Sequence, residues 1–385
     1  MSAPFAPPRR GVRKRMLVLA ASVLLGWAAA TAVLGQHALP TAATVPQASP
    51  PAIAPVPQTP PLAVPSGTVA DRDARGTESP IRVYFAPPQS GDPDPIDQAL
   101  LRLINSAQSS VACAFYELEL PAAADALVAR HQAGVRVGIV SDSDYRERLA
   151  VRRCIAAGIP VVFDERPAFM HDKFCVVDGR FVWTGSTNIT ENCMYKNNNN
   201  SVLVESAELA KDFAAEFGEM FDAHRFGPDS PKNTPFPEVT LSDGTQIECY
   251  FAPEDDAGSA LARFAESARQ RIDFAAFSFT SKDLAEAMDT RMQAGVRVRG
   301  VFEKRGANSP SSRYKWLTEH GAAVQTDTNP ANLHDKFLVV DGSAVATGSF
   351  NFSRNADEHN DENLLIIHNP ALARKYMEEV DRLMN

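Results

Sequence analysis

The sequence predicts an α/β protein: two homologous α/β sandwich repeats with mixed sheets, related by a pseudo-twofold axis and preceded by a signal or anchor helix and a Pro-rich linker. Three observations carry this expectation. Three landmarks recur in the same order at a spacing of about 160 to 170 residues. Short apolar runs alternate with longer helical patterns inside each half. The first 66 residues hold no Asp or Glu and divide into basic, apolar and proline-rich stretches.

The first element is residues 1–36. Arg9, Arg10, Arg13, Lys14 and Arg15 precede an uncharged run from Met16 to Gly35. About 20 apolar residues suffice to span a bilayer as a helix. The basic cluster favours the cytoplasmic side, so the rest of the chain is expected to be exported, at the periplasmic face or secreted. The small residues Ala28, Ala29, Ala30, Thr31 and Ala32 also suit a signal peptidase, so the run reads either as a membrane anchor at residues 16–35 or as a cleaved signal. Residues 37–79 follow as a disordered linker. Nine prolines between Pro40 and Pro65 cannot pack a core and make a semi-rigid spacer.

The first repeat covers residues 80–228 and the second 247–385, with a linker over 229–246 inside a stretch, Phe226 to Gly244, rich in Pro, Asp, Ser and Asn. Ile81-Arg-Val-Tyr-Phe-Ala-Pro87 returns as Ile247-Glu-Cys-Tyr-Phe-Ala-Pro253, and Ala133-Gly-Val-Arg-Val137 as Ala294-Gly-Val-Arg-Val298. Val111 to Phe115, Val135 to Val140 and Phe174 to Val177 read as strands; Pro95 to Ala107 and Ala207 to Phe221 read as helices. Duplicated units paired about a twofold axis bring equivalent loops together, so two half-sites make one site. A fused pair needs no second chain, and a monomer is expected.

The third landmark carries the chemistry. It reads H-x-K-x4-D-x6-G-S-x-N twice: His171, Lys173, Asp178, Gly185, Ser186 and Asn188, then His334, Lys336, Asp341, Gly348, Ser349 and Asn351. Residues two apart in a strand face one side, so each half offers an imidazole beside an ammonium. A phosphodiester needs its anionic oxygens neutralised while a nucleophile attacks phosphorus and an acid protonates the leaving oxygen. Two His and two Lys supply this without metal. Ser186, Asn188, Ser349 and Asn351 are candidate phosphate donors at tight turns where glycine allows close backbone approach. Asp178 and Asp341 are carried as candidates with the motif, although Asp-Gly reads first as a hairpin turn.

These residues resemble the paired motifs of the phospholipase D superfamily, which includes phospholipases D, cardiolipin synthases and small bacterial endonucleases. The resemblance runs from about Ile81 to the C-terminus. It is nearest to the endonuclease branch in the second half, through Phe277-Ser-Phe-Thr-Ser-Lys282, Gly348-Ser-Phe-Asn-Phe-Ser353 and Asn360-Asp-Glu-Asn-Leu-Leu-Ile366. It implies a metal-independent phosphodiesterase in which one motif His attacks phosphorus to give a phosphohistidine and the other protonates the leaving group. Closely coupled histidines titrate as a pair, so one proton shared by His171 and His334 is the expected resting state. Aligning the motifs sets Glu362 opposite Asn199. A carboxylate accepting from a ring N–H fixes the tautomer and stabilises a charged imidazole, so the two histidines should be held differently. His171 is the expected nucleophile and His334 the expected general acid.

No His/Cys ligand spacing and no calcium-loop pattern is present, so neither a metal nor another cofactor is expected. Five cysteines without CxxC spacing read as buried thiols, with one or two disulfides the alternative after export. Beyond residue 66 the chain has 33 Lys+Arg against 47 Asp+Glu, a net charge of -14, which argues against a general nucleic-acid binder. A phospholipid headgroup, giving phosphatidate, is therefore the favoured substrate; DNA or RNA cleaved by the same mechanism is the alternative, and an inactive phosphate- or lipid-binding module the reading from another class.

Overall fold

A computed structural model of the 385-residue chain describes residues 79–385. The expected signal or anchor segment, and all of the Pro-rich linker but its last residue, lie outside the described residues. Among those described, no helix is long and apolar enough to cross a membrane.

The first repeat contributes β1 (Ile81–Ala86), β2 (Ser110–Phe115), β3 (Arg136–Ser141), β4 (Val161–Phe163), β5 (Lys173–Val177), β6 (Phe181–Gly185) and β7 (Asn199–Glu205). They form one mixed sheet in the order β1-β7-β6-β5-β2-β3-β4, with β2, β3 and β4 parallel to one another and the remaining neighbours antiparallel. The second sheet adds β8 (Glu238–Thr240), β9 (Gln246–Ala252), β10 (Arg271–Ala276), β11 (Arg297–Phe302), β12 (Ala323–Thr326), β13 (Lys336–Val340), β14 (Ala344–Gly348) and β15 (Glu362–His368). Its order, β12-β11-β10-β13-β14-β15-β9-β8, repeats the first with one extra edge strand. That strand, β8, lies in the segment 229–246 that the sequence presents as a linker.

Helices cover the outer faces: α1 (Ile96–Ser106), α2 (Pro121–Gln132), α3 (Leu149–Ala156) and the short α4 (Glu191–Tyr195) in the first repeat. Two 15-residue helices take a different place. After β7 comes α5 (Ala207–Phe221), started by the Ser206 hydroxyl accepting from the N–H of Leu209. In the second repeat α6 (Ala257–Glu266), α7 (Lys282–Gln293), α8 (Lys304–Ala307), α9 (Tyr314–Glu319) and α10 (Arg354–Glu358) lead to α11 (Pro370–Met384), capped by Asn369.

Alternation along the strands decides the layering. In β5, Phe174 and Val176 belong to a core shared with the second repeat, whereas Cys175 and Val177 belong to the outer core of the first. The shared core holds α5 and α11, which cross-pack: Phe213 meets Phe251 at 5.1 Å and Tyr376 meets Phe85 at 5.2 Å between ring centroids. This common apolar layer fixes the two repeats as one body, and removing so much apolar surface from water is the main force holding them together. The five cysteines are buried free thiols, so the disulfide alternative is not realised here.

Candidate active site

Strands β5 and β13 begin at Lys173 and Lys336, so both His-x-Lys pairs stand at equivalent strand ends, each preceded by a loop held by the opposite repeat. The His171 N–H donates to the Asp361 carbonyl at 2.9 Å, and the His334 N–H to the Asn198 carbonyl at 2.8 Å. Side chains cross in the same way. His171 Nδ1 lies 2.7 Å from Glu362 Oε2, while His334 Nδ1 lies 2.8 Å from Asn199 Oδ1. Asn363 donates to Asp172 at 2.6 Å and Asn200 to Asp335 at 2.7 Å. The run Asn197 to Asn200 is therefore the first repeat's counterpart of Asn360-Asp-Glu-Asn363, and each set orients the other repeat's histidine.

The glycines of the motif are required by close approach. Gly185 has φ +151° and a Cβ there would lie 2.3 Å from the Asn200 carbonyl; Gly348, at φ +150°, would meet the Asn363 carbonyl at 2.2 Å. The hydroxyls that follow are buried and engaged inside the protein. Ser186 donates to Asn199 at 3.0 Å and accepts from the N–H of Asn200; Ser349 accepts from the N–H of Asn363 at 2.9 Å. They brace the residues that orient the histidines. Asn188 and Asn351 each have a buried Oδ1 without a hydrogen-bond partner; that oxygen only accepts, so contact with a phosphate would have to come from the amide NH2 of each residue.

The two aspartates are corrected by the structure. Asp178 accepts from the N–H groups of Gln108, Ser109 and Ser110, and Asp341 from those of Arg269, Gln270 and Arg271. Both have left-handed backbones, at φ 55° and 53°. Each lies beyond the far end of its strand, about 17 Å from the motif lysine at strand rise, so neither touches the reacting centre. They close the turn before β2 and β10.

A family model described as "Cardiolipin synthase, PLD-like domain" matches residues 100–221 and 261–384. The chain belongs to the phospholipase D-like family. Among its relatives, the mitochondrial cardiolipin hydrolase of Xenopus laevis is 34% identical over 38% of this chain and 70% of its own length. A phospholipase D of Rickettsia prowazekii (strain Madrid E) is 27% identical over 35% of this chain and 65% of its own. The solved phosphatidylserine synthase of Haemophilus influenzae Rd KW20 aligns over 81% of this chain and 87% of its own with TM-score 0.62; at 14% identity it shows the fold alone. As a phospholipase D-type protein the chain is a hydrolase of the phosphodiesterase class.

The electrostatics of this phospholipase D-like site follow from burial and mutual proximity. His171 and His334 are both held well below the ordinary histidine range, first by desolvation and then by Lys173 and Lys336, each of which acts on both rings. Burial also lowers Lys173 to about 8 and Lys336 to about 7, and raises Glu362 to about 8 despite the facing Lys173. A charge-poor cleft whose two ammonium groups are both pushed towards the neutral form gains most from an entering phosphate anion. The proton expected between the two histidines is better placed in the short His171–Glu362 contact, because neither ring retains a charge beside two lysines.

Sequence reasoning missed the aromatic wall. Tyr116 and Phe277 occupy equivalent positions after β2 and β10, with ring centroids 4.7 Å from His171 and 4.6 Å from His334; Lys173 and Lys336 lie over the same two rings at 4.8 and 5.2 Å. Their recurrence at matching places in the repeats was the available signal. Phe169 packs on Tyr116 and remains 38% exposed, and Tyr145 hydrogen-bonds the Tyr116 hydroxyl at 3.2 Å.

Proposed function

We propose that this protein hydrolyses the phosphodiester of a phospholipid headgroup, releasing phosphatidate through a phosphohistidine intermediate. The observation that carries the chemistry is the crossed pair of His-Lys half-sites in one buried cleft. His171 Nε2 attacks phosphorus, and the Glu362 carboxylate facing Nδ1 offsets the charge of the phosphorylated ring. His334, neutral in the empty cleft and held only by an amide, takes up a proton at Nε2 as the phosphate anion enters beside it, and gives that proton to the leaving oxygen as general acid. Lys173 and Lys336 neutralise the phosphate oxygens, with the amides of Asn188 and Asn351 as further donors. His334 then takes a proton from water, which attacks the phosphohistidine and frees His171.

The lipid reading rests on the rim and on the named activities of the relatives. Tyr116, Tyr145 and Phe169 line one side of the mouth, and Phe169 is 38% exposed. An apolar lip next to a polar centre suits acyl chains entering from an interface, and the acidic charge disfavours a long polyanion. The experiment is hydrolysis by the full chain in EDTA of cardiolipin and phosphatidylcholine vesicles beside single- and double-stranded DNA. The His171→Ala, His334→Ala variant serves as control. Variant-sensitive lipid cleavage is expected; cleavage of DNA alone would replace the lipid reading with the nuclease one.

A further inference from the structure

The two lips of the cleft share a backbone plan and carry opposite chemistry. After β3, Asp142 accepts from the N–H of Asp144 at 2.9 Å and Asp164 from that of Ser143 at 2.8 Å. After β11, Glu303 accepts from the N–H of Arg305 at 3.1 Å and Asp327 from that of Lys304 at 2.9 Å. This register sets Lys304, Arg305 and Gly306 where the first repeat has Ser143, Asp144 and Tyr145. Counting back from the motif histidines sets Asn332 opposite Phe169 and Thr328 opposite Glu165, and Ser278 follows Phe277 as Glu117 follows Tyr116.

On the His171 side the lip is aromatic, and its cations are matched by carboxylates. Phe169 lies 6.5 Å from His171 between ring centroids. Arg146 pairs with Glu165, Arg148 with Glu117 at 2.7 Å and Arg166 with the buried Asp361, which leaves Asp144 and Glu119 in excess. On the His334 side no aromatic ring stands at the places of Phe169 and Tyr145. The buried acids beneath are the same in both lips, Asp142 and Asp164 against Glu303 and Asp327, so the difference arises above them. Arg305 is exposed and donates from Nη1 to Asn332 Oδ1, two residues before His334. Among the described residues it forms no ion pair, and Lys304 stands 3.9 Å from Asp327.

We propose that Arg305, assisted by Lys304, selects a leaving alcohol that carries a second phosphate. The inference rests on the lipid reading above and on His171 as the nucleophile: the phosphatidyl group then stays on the aromatic side with His171, and the alcohol protonated by His334 departs past Arg305. The guanidinium is a planar fork that matches phosphate oxygens in pairs, whereas a choline ammonium meets like charge there. Arg305 acts on the choice of leaving group and takes no part in proton transfer.

The test compares kcat/KM of the full chain on phosphatidylglycerol, phosphatidylglycerol phosphate and cardiolipin, each at the same low fraction in micelles of a neutral detergent. The first has a neutral leaving alcohol, the second a phosphate monoester on it and the third a phosphodiester. An exposed charge pair is worth a factor of about five at most, so the wild type should favour a phosphate-bearing leaving group by about that much, and less as sodium chloride is raised. Preference for one of the two phosphate-bearing lipids would name the ester that is read. Arg305→Gln should remove most of the margin, and Arg305→Asp, which copies the first repeat, should abolish it. Lys315→Gln, which removes another exposed cation, on α9, should keep it. Equal kcat/KM on all three lipids, a margin that survives in both Arg305 variants, or an equal loss in Lys315→Gln would overturn the proposal while the lipid reading stood. Cleavage of none of the lipids would remove the lipid reading and this inference with it.

Discussion

Replacing Glu362 by Gln tests the division of labour between the histidines. Glu362 is fully buried, and its Oε2 is 2.7 Å from His171 Nδ1. Substitution keeps the shape and removes the charge. A hydrogen bond to a charged partner contributes about 1.5–3 kcal/mol and a neutral one about 0.5–1.5, so the loss is about 1–2 kcal/mol, a factor of about 5 to 30 in rate. Asn360 donates to the other oxygen at 3.3 Å, so the Gln NH2 must face either that donor or the ring, which pushes the effect towards the upper end. The assay compares a phospholipid with bis(p-nitrophenyl) phosphate, whose leaving group needs little acid assistance. If Glu362 serves the nucleophile, Glu362→Gln is slow on both substrates. Normal rates on the activated ester with slow lipid cleavage would refute the reasoning and make His171 the general acid.

The same geometry sets four further outcomes. Asp178→Ala should lower stability by about 1–2 kcal/mol through lost backbone acceptors while leaving kcat near wild type, read by urea unfolding alongside turnover; a collapse in kcat with intact stability would return Asp178 to the site. Because lysines lose charge as pH rises, and Lys336 and Lys173 sit at about 7 and about 8, kcat/KM should fall through that window; bound phosphate raises both, so the limb in kcat should lie higher. Phe169→Asp should impair hydrolysis of vesicles much more than of a monodisperse short-chain lipid, and equal losses on both would remove Phe169 from interfacial contact. EDTA should leave turnover unchanged at temperatures well below unfolding, and strong inhibition there would sink the metal-free mechanism.

What the sequence made legible was whatever repeats. Two His-x-Lys pairs and two Gly-Ser-x-Asn turns at one spacing located the strand ends, the sheets and the reacting groups. What it hid was three-dimensional. Nothing in the linear pattern says that Glu362 serves His171 and Asn199 serves His334, because that exchange depends on loops crossing the axis between repeats. Asp178 and Asp341 share the motif because β5 and β13 must be followed by the same anchored turn, not because they meet the substrate. The motif presents Ser186 and Ser349 as donors to phosphate, yet the approach of β7 and β15 to Gly185 and Gly348 turns their hydroxyls inward. Segment 229–246 has a linker's composition but a strand at Glu238–Thr240, since an edge strand needs only a few residues and one buried position, Val239.

The most direct test of the account is to trap the covalent intermediate. The full chain, quenched in alkali during turnover of a phospholipid labelled with 32P, should carry acid-labile label on His171. Label should be absent from His171→Ala; His334→Ala, which lacks both the acid for the leaving oxygen and the group that activates water, should be labelled only by 32P-labelled bis(p-nitrophenyl) phosphate, whose leaving group needs little acid assistance, and should then hold the label. Label on His334, or full turnover with no labelled protein at any quench time, would contradict it.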